Sequence, residues 1–269
     1  MTSAEELLAG LRPSRQATWR ALRGKLWLDH AIWRSGLTPR QFESEHIHRD
    51  RSPSNLMGKW LAGDVLPSHA SAKALERRIP GTLWVFELPL FPLLANFPVL
   101  RQDLRRLTAD WEAREEMPGM GPDWRLPPDS EGRTVCYLCD TSSLVSRGDL
   151  WGLTALTAIM RLAELEGDQP GHVAASKDAF RALPALMRLQ WFGPSAHAIF
   201  QQLEALQHRM PYSKVSFQAD WATLKVLSKL ANYEPDPLKR MSGSTSPYEL
   251  YPDPIVLLRH IPAAKISRW

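Results

Sequence analysis

The fold of this chain is decided by three segments, LTPRQF at positions 37–42, SPSNLMGKWLAG at 52–63 and DVLPS at 64–68. Thr38 is a good N-cap, and Pro39 follows at the first helical position, where a missing N–H costs nothing. Ser52 and Pro53 repeat this arrangement before a second helix. Gly63 permits the tight turn that ends that helix. Together the segments predict a helix-turn-helix over residues 37–79.

The rest of the chain also shows helical spacing, with apolar residues recurring at intervals of three and four. Ser68 is expected to cap a helix whose buried positions are Ala72, Leu75 and Ile79, and Gly36 to end the helix before it. Strand-like alternation is confined to 134–137, and 255–261 is a short apolar element. Further helices are predicted at 4–11, 14–22, 26–35, 100–116, 148–166, 173–191, 195–209 and 216–232. The fold class is therefore expected to be mainly α.

The segment 117–133 marks the expected division between domains. It reads MPGMGPDWRLPPDSEGR and contains four Pro and three Gly, a composition typical of a linker or extended loop. The chain is predicted to consist of a helical region at 1–116 that contains the helix-turn-helix, this linker, and an α-helical domain at 134–269.

Positive charge is concentrated near the helix-turn-helix. Between Arg12 and Trp60, ten Lys or Arg stand against four Asp or Glu, a net charge of +6. Residues 1–11 carry −2 and residues 61–269 sum to zero, within an overall charge of +4. Such asymmetry suits polyanion binding, because each Lys or Arg set against a phosphate releases a counterion. A solvated helical face with Arg-rich turns is the alternative.

The module resembles the helix-turn-helix of the lambda-repressor and Cro-like family. The matching elements are the LTPRQF opening of one helix, a Ser-capped second helix, and Gly63 followed four residues later by Pro67 and Ser68. The resemblance covers residues 26–80. It implies a compact helical module whose second helix reads the major groove of DNA.

Carried onto this chain, the resemblance makes 53–62 the reading helix. Met57 and Trp60, three residues apart, are expected to face the core. Base contacts are assigned to side chains that pair with base edges, namely Ser54, Asn55 and Lys59. Phosphate contacts are assigned to arginines on the flanking turns, namely Arg40, Arg49 and Arg51.

The function implied by this resemblance is that of a bacterial transcriptional regulator that binds double-stranded DNA. One such module reads few base pairs, so a homodimer on two half-sites is expected. The C-terminal domain would then dimerise, sense a signal or bind a protein partner. The alternative is a non-catalytic interaction protein of a toxin–antitoxin or phage-defence system, whose helices dock to protein.

No catalytic or cofactor motif accompanies the module. The sequence lacks a Walker A loop, a dinucleotide fingerprint and a nucleophile elbow. Cys136 and Cys139 form a lone C-x-x-C without the second pair that structural zinc requires. His46 and His48 have no third ligand nearby. We therefore expect neither enzyme activity nor a metal or cofactor.

A cytoplasmic location without membrane insertion is expected. The most apolar run, 83–100, contains three Pro and Glu87, which argue against a membrane helix. Two Cys form no disulfide framework and no signal peptide is recognised, so a reducing compartment is the default expectation.

Overall fold

A computed structural model describes residues 13–47, 56–96, 98–102, 104, 141–210, 216–230 and 255–258. The mainly α class is confirmed, since helices make up most of the described residues. The helices are α1 (Pro13–Ser35), α2 (Pro39–Phe42), α3 (Leu56–Ala62), α4 (His69–Glu76), α5 (Leu83–Glu87), α6 (Leu90–Leu94), α7 (Ser142–Arg147), α8 (Leu150–Glu166), α9 (Gln169–Met187), α10 (Gly193–Gln207) and α11 (Trp221–Ser228). A π-helical turn, Glu43–Ile47, continues α2, and the strands are β1 (Ser216–Ala219) and β2 (Ile255–Leu258).

The chain divides into two units. Unit 1 comprises Met1–Asn96 together with Leu189–Ile199, and unit 2 comprises Phe97–Arg188 together with Phe200–Trp269. The grouping of 189–199 with the N-terminal unit was not anticipated from the sequence. The predicted linker at 117–133 lies outside the described residues, so the expected division there stays a prediction.

Helix α1 runs without interruption, so the prediction of two helices at 14–22 and 26–35 was wrong. The expected gap contained Gly24, which lies inside the helix instead. A Cβ atom at Gly24 would lie 2.8 Å from Cδ of Pro67. The glycine therefore serves close packing against the segment that follows α3. Leu26, Trp27 and Leu28 are fully buried in succession, which makes α1 the central helix of unit 1.

Helix ends in unit 1 follow local sequence signals, as predicted. Gly36 ends α1 with a φ of +69°. Thr38 caps α2 in a capping box, because its hydroxyl accepts the Gln41 N–H while the Gln41 side chain accepts the Thr38 N–H. The Ser68 hydroxyl accepts the Ser71 N–H at 3.0 Å and caps α4. The predicted inward positions Ala72, Leu75 and Ile79 are all buried, but α4 ends at Glu76, so the prediction that the helix extends to Ile79 was wrong.

The core of unit 1 is built from aromatic rings around α1. The centroid of the Trp27 ring lies 5.9 Å from that of Trp60 on α3 and 5.4 Å from that of Phe86 on α5. Large aromatic side chains bury much apolar surface and add edge-to-face attraction. Trp27 therefore fixes both α3 and α5 on the central helix.

Unit 2 is built on the antiparallel neighbours α8 and α9. Asp149 caps α8 by accepting the Gly152 N–H at 2.7 Å, and Asp168 caps α9 by accepting the Gly171 N–H at 3.0 Å. In the core, the Phe180 ring contacts those of Phe200 and Phe217. The predicted helices at 148–166, 173–191 and 195–209 are confirmed, with ends displaced by at most four residues.

The prediction of one helix at 216–232 was wrong. Residues Ser216–Ala219 form strand β1, which pairs antiparallel with β2 so that Ser216 lies opposite Leu258 and Ala219 opposite Ile255. The Asp220 carboxylate then caps α11 by accepting the N–H groups of Ala222 and Thr223. Pairing with a strand almost forty residues away overrides the local helical spacing.

Among the described helices, none has the length and apolar character needed to cross a membrane. The predicted helix at 4–11, most of the one at 100–116 and the strand candidate at 134–137 lie outside the described residues.

Candidate nucleic-acid interface

Helix α3 presents one face to the core and one to solvent. Met57 and Trp60 are buried, with 6% and 8% of their surface exposed, as their spacing predicted. Lys59 is exposed, and Gly58 is half-buried beside it. The predicted helix at 53–62 is thus seen from residue 56 onward, with its basic side chain outward.

The end of α3 is fixed by the turn at Gly63. This glycine has a φ of +79°, and a Cβ atom there would lie 2.7 Å from Cβ of Ala21 on α1. The Lys59 carbonyl accepts the N–H groups of Asp64 and Val65 at 2.9 and 3.3 Å. The chain therefore leaves α3 along a path that only glycine permits without strain.

Two of the six predicted DNA-contacting residues are described. Arg40 on α2 and Lys59 on α3 are both exposed, and neither forms an ion pair with another described residue. The other four, Arg49, Arg51, Ser54 and Asn55, lie outside the described residues, so their assignment stays a prediction.

The other exposed cations in unit 1 differ in whether their side chains form hydrogen bonds. Lys73 and Arg77, one turn apart, pair with no other described residue. In contrast, the Arg34 Nε donates to the Pro80 carbonyl at 2.5 Å, and the Arg78 Nη1 donates to the His46 carbonyl at 2.5 Å. Arg34 and Arg78 thus join turns to neighbouring helices, and the sequence carries no local signal for these contacts.

The turn between α4 and α5 is organised by the Glu76 carboxylate. It accepts the N–H groups of Gly81, Thr82 and Leu83, each at 2.7 Å, and the Thr82 hydroxyl at 3.0 Å. Burial raises the pKa of Glu76, but these donors outweigh it, and the pKa falls below its ordinary value. A carboxylate satisfied in this way anchors the start of α5.

His30 lies buried in a cluster of three indole rings. Its ring centroid is 4.6 Å from that of Trp191, 5.6 Å from that of Trp84 and 5.8 Å from that of Trp33. Nδ1 is buried without a hydrogen-bond partner among the described residues. Burial, assisted by Arg34 and opposed by Glu76, lowers the pKa of His30 to about 4. The ring is therefore neutral near pH 7 and contributes packing rather than charge.

Unit 2 contains a partly buried ionic cluster centred on Glu164 of α8. Glu164 accepts from Nη1 of Arg161 at 2.8 Å and from Nη2 of Arg209 at 2.6 Å. Burial lowers the pKa of Arg161 to about 10, with Glu164 opposing the change and Arg209 adding to it. Burial also lowers the pKa of the enclosed His172 to about 4. The cluster joins α8 to the residues after α10.

No metal site is formed within the described part of the chain, since no three His, Cys, Asp or Glu side chains are grouped to hold an ion. His46 lies half-buried on the π-helical turn, where its ring contacts Phe42 at 5.1 Å between centroids. His48, Cys136 and Cys139 lie outside the described residues.

No protein-family model, no curated protein and no solved structure matches this chain. The resemblance to the lambda-repressor and Cro-like helix-turn-helix therefore rests on the sequence pattern and stays a prediction.

Proposed function

We propose that this chain is a DNA-binding protein in which α3 reads the major groove. The supporting observation is the geometry of α3, which is fixed to α1 through Trp60 and carries Lys59 on its exposed face. A helix held rigidly from behind and basic in front suits insertion into a groove lined by phosphates.

The charge distribution supports the same proposal. The excess of +6 between Arg12 and Trp60 includes Arg40 and Lys59, which have no carboxylate partner among the described residues. Unpaired surface cations are available to replace counterions along a duplex, and this exchange supplies most of the affinity for DNA.

The biological role we propose is transcriptional regulation in the bacterial cytoplasm, with the protein acting as a homodimer. One module buries little DNA surface, and two modules on half-sites one helical turn apart reach the affinity that a regulator needs. Unit 2, with its separate helical core, is the part we assign to dimerisation, sensing or a protein partner.

The test is selection of bound sequences from a random duplex library, followed by titration of the selected site with wild type, Lys59→Ala and Arg40→Ala. A base contact is worth about 1–3 kcal/mol, so Lys59→Ala is expected to weaken binding and relax preference at particular positions. Arg40→Ala is expected to weaken binding to all sequences equally, as the loss of a phosphate contact does.

Lys225→Ala serves as the matched control, because Lys225 is an exposed lysine on α11 of unit 2. Replacing it removes the same charge and should leave affinity and preference unchanged. Equal affinity and equal sequence preference for Lys59→Ala and wild type would contradict the assignment of α3 as the reading helix.

A second candidate is protein docking by unit 1, as expected of a toxin–antitoxin or phage-defence component. The observation that favours it is exposed apolar surface, since Trp33, Val65 and Leu66 have 48%, 40% and 38% of their surface exposed. Aromatic residues are enriched in protein interfaces. Failure of the wild type to select any duplex would favour this candidate over the first.

A further inference from the structure

Helix α1 carries two arginines that share one indole ring. Cζ of Arg20 lies 5.3 Å from the Trp19 ring centroid, and Cζ of Arg23 lies 5.6 Å from the same centroid. Arg23 also lies over Phe86, at 4.3 Å. Trp19 and Phe86 are buried, so the aromatic surfaces are fixed by the core. Stacking restrains the plane of a guanidinium and so orients its donors in advance.

These two cations have no counter-charge in the described part of the chain. Neither forms an ion pair or hydrogen bond with another described residue, whereas Lys25 on the same helix donates to Asp29 at 2.7 Å. Nε of Arg23 is buried without an acceptor. Burial lowers the pKa of Arg23, and the charge of Arg20 lowers it further. Two neighbouring positive charges that are partly shielded from water repel each other. An anion bound against both would remove this unfavourable electrostatic energy.

The pair lies next to the part of α1 that supports the end of α3. Ala21 and Gly24, the residues that follow Arg20 and Arg23, contact the α3 exit turn, with close approaches to Gly63 and Pro67. The two arginines therefore each precede by one residue a position of α1 that contacts the exit turn of the proposed reading helix. A duplex engaged by α3 carries its backbone past the edges of that helix, and backbone contacts fix the register of the reading helix.

We infer that Arg20 and Arg23 bind a backbone phosphate of the same nucleic acid that α3 reads. This inference rests on the proposed function and adds a contact that the sequence pattern did not assign. Guanidinium groups suit the role because their planar donor fork matches the oxygens of a phosphate, and the aromatic stack holds that fork in place.

The test compares wild type with Arg20→Gln/Arg23→Gln in titrations of generic duplex DNA over a range of salt concentrations. Each phosphate contact contributes roughly 0.9 to the slope of log affinity against log salt. The double variant loses the one phosphate that the two arginines share, so the magnitude of that slope is expected to fall by about one, with equal loss of affinity for all sequences. A slope equal to that of the wild type overturns the inference and leaves the proposed function intact.

The matched control is Lys225→Gln/Lys229→Gln, which removes two exposed lysines from unit 2. It changes the net charge equally and is expected to leave the slope unchanged; an equal reduction in slope in this control overturns the inference. Arg20→Lys/Arg23→Lys keeps the charges without the planar fork, so it should retain the slope while losing part of the affinity. Thermal unfolding of each variant shows that it is folded before titration.

A second measurement distinguishes binding of a free anion from binding of a nucleic-acid backbone. The Tm of wild type and of Arg20→Gln/Arg23→Gln is measured in inorganic phosphate and in chloride at equal ionic strength. If phosphate raises the Tm only when both arginines are present, while wild type binds no duplex, the site takes free anions and the inference is wrong. Absence of duplex binding by wild type also overturns the proposed function.

Discussion

Gly63 shows how one residue fixes the end of α3 against α1. Its φ of +79° costs an L residue strain, and a Cβ atom there would also meet Cβ of Ala21 at 2.7 Å. Gly36 has a similar φ of +69° with nothing within 4 Å of the same position. Substitutions at Gly36 therefore test backbone strain alone, whereas substitutions at Gly63 test backbone strain together with a steric clash.

We predict that Gly63→Ala destabilises the protein more than Gly36→Ala. Left-handed backbone costs an L residue about 1–2 kcal/mol at either site. Overpacking adds about 1–3 kcal/mol at Gly63 alone. Chemical denaturation followed by tryptophan fluorescence measures the difference in the free energy of unfolding. Equal losses at the two sites would show that α3 does not rest on Ala21.

Protonation of the single His30 ring makes the free energy of unfolding depend on pH. Its pKa is about 4 in the folded protein against an ordinary 6.5. Between these values the unfolded chain binds more protons than the folded one, so stability falls as pH decreases from 6.5 toward 4. We expect this ring to contribute at most about 3 kcal/mol of that loss.

The measurement is the free energy of unfolding of wild type and His30→Gln at pH 7 and pH 4.5. The glutamine cannot be protonated, so the variant should lose less stability on acidification than wild type. His172 acts in the same direction in both proteins and cancels in the comparison. The same loss in both proteins would contradict a buried neutral His30.

At the scale of an element, the turn between α4 and α5 depends on one carboxylate. Three N–H groups of residues 81–83 converge on Glu76. We predict that Glu76→Gln destabilises unit 1 by about 1–3 kcal/mol, because an amide cannot replace all these acceptor interactions and leaves donors unpaired. Its folded pKa is depressed, so the stabilisation is present above pH 4.5 and is lost as pH falls through the folded value.

Urea unfolding at pH 7 and at pH 3 tests this prediction. The difference between wild type and Glu76→Gln should be largest at pH 7 and smaller at pH 3, because the stabilisation from a carboxylate with a lowered pKa decreases as the pH falls below 4.5. Glu45, exposed on the π-helical turn, provides Glu45→Gln as the control. A difference between Glu76→Gln and wild type that is the same at both pH values would show that charge on Glu76 is unimportant.

Helix ends could be predicted from the sequence because their causes are local. Thr38, Ser68 and Gly36 act within three residues of themselves, and each has the role its type indicates. The errors arose where distant contacts decide. Gly24 lies inside α1 where Pro67 packs closely against it, and β1 depends on pairing with β2. Pro67 and β2 are both too distant in sequence from the residues they contact to affect the local spacing of apolar residues from which helices are predicted.

At the scale of the whole molecule, the sequence located the candidate site better than it explained how the site is held. The burial of Met57 and Trp60 followed from their spacing, and Lys59 is exposed as expected. The Trp27 ring behind α3 and the stacking of Arg23 on Phe86 of α5 are contacts between elements. Such contacts depend on chain topology, which residue spacing alone does not specify.

The central claim is that unit 1 binds duplex DNA through cations around α3, and the salt dependence of binding tests it most directly. The measurement is the affinity of the wild-type protein for a labelled duplex from low to physiological salt. Arg20 and Arg23 share one phosphate, and Arg40, Arg49 and Arg51 are each assigned one. With these four phosphates we predict a linear fall of log affinity with log salt and a slope of about −4 per protomer. Absence of binding at the lowest salt concentration, or affinity that does not change with salt, would contradict the claim.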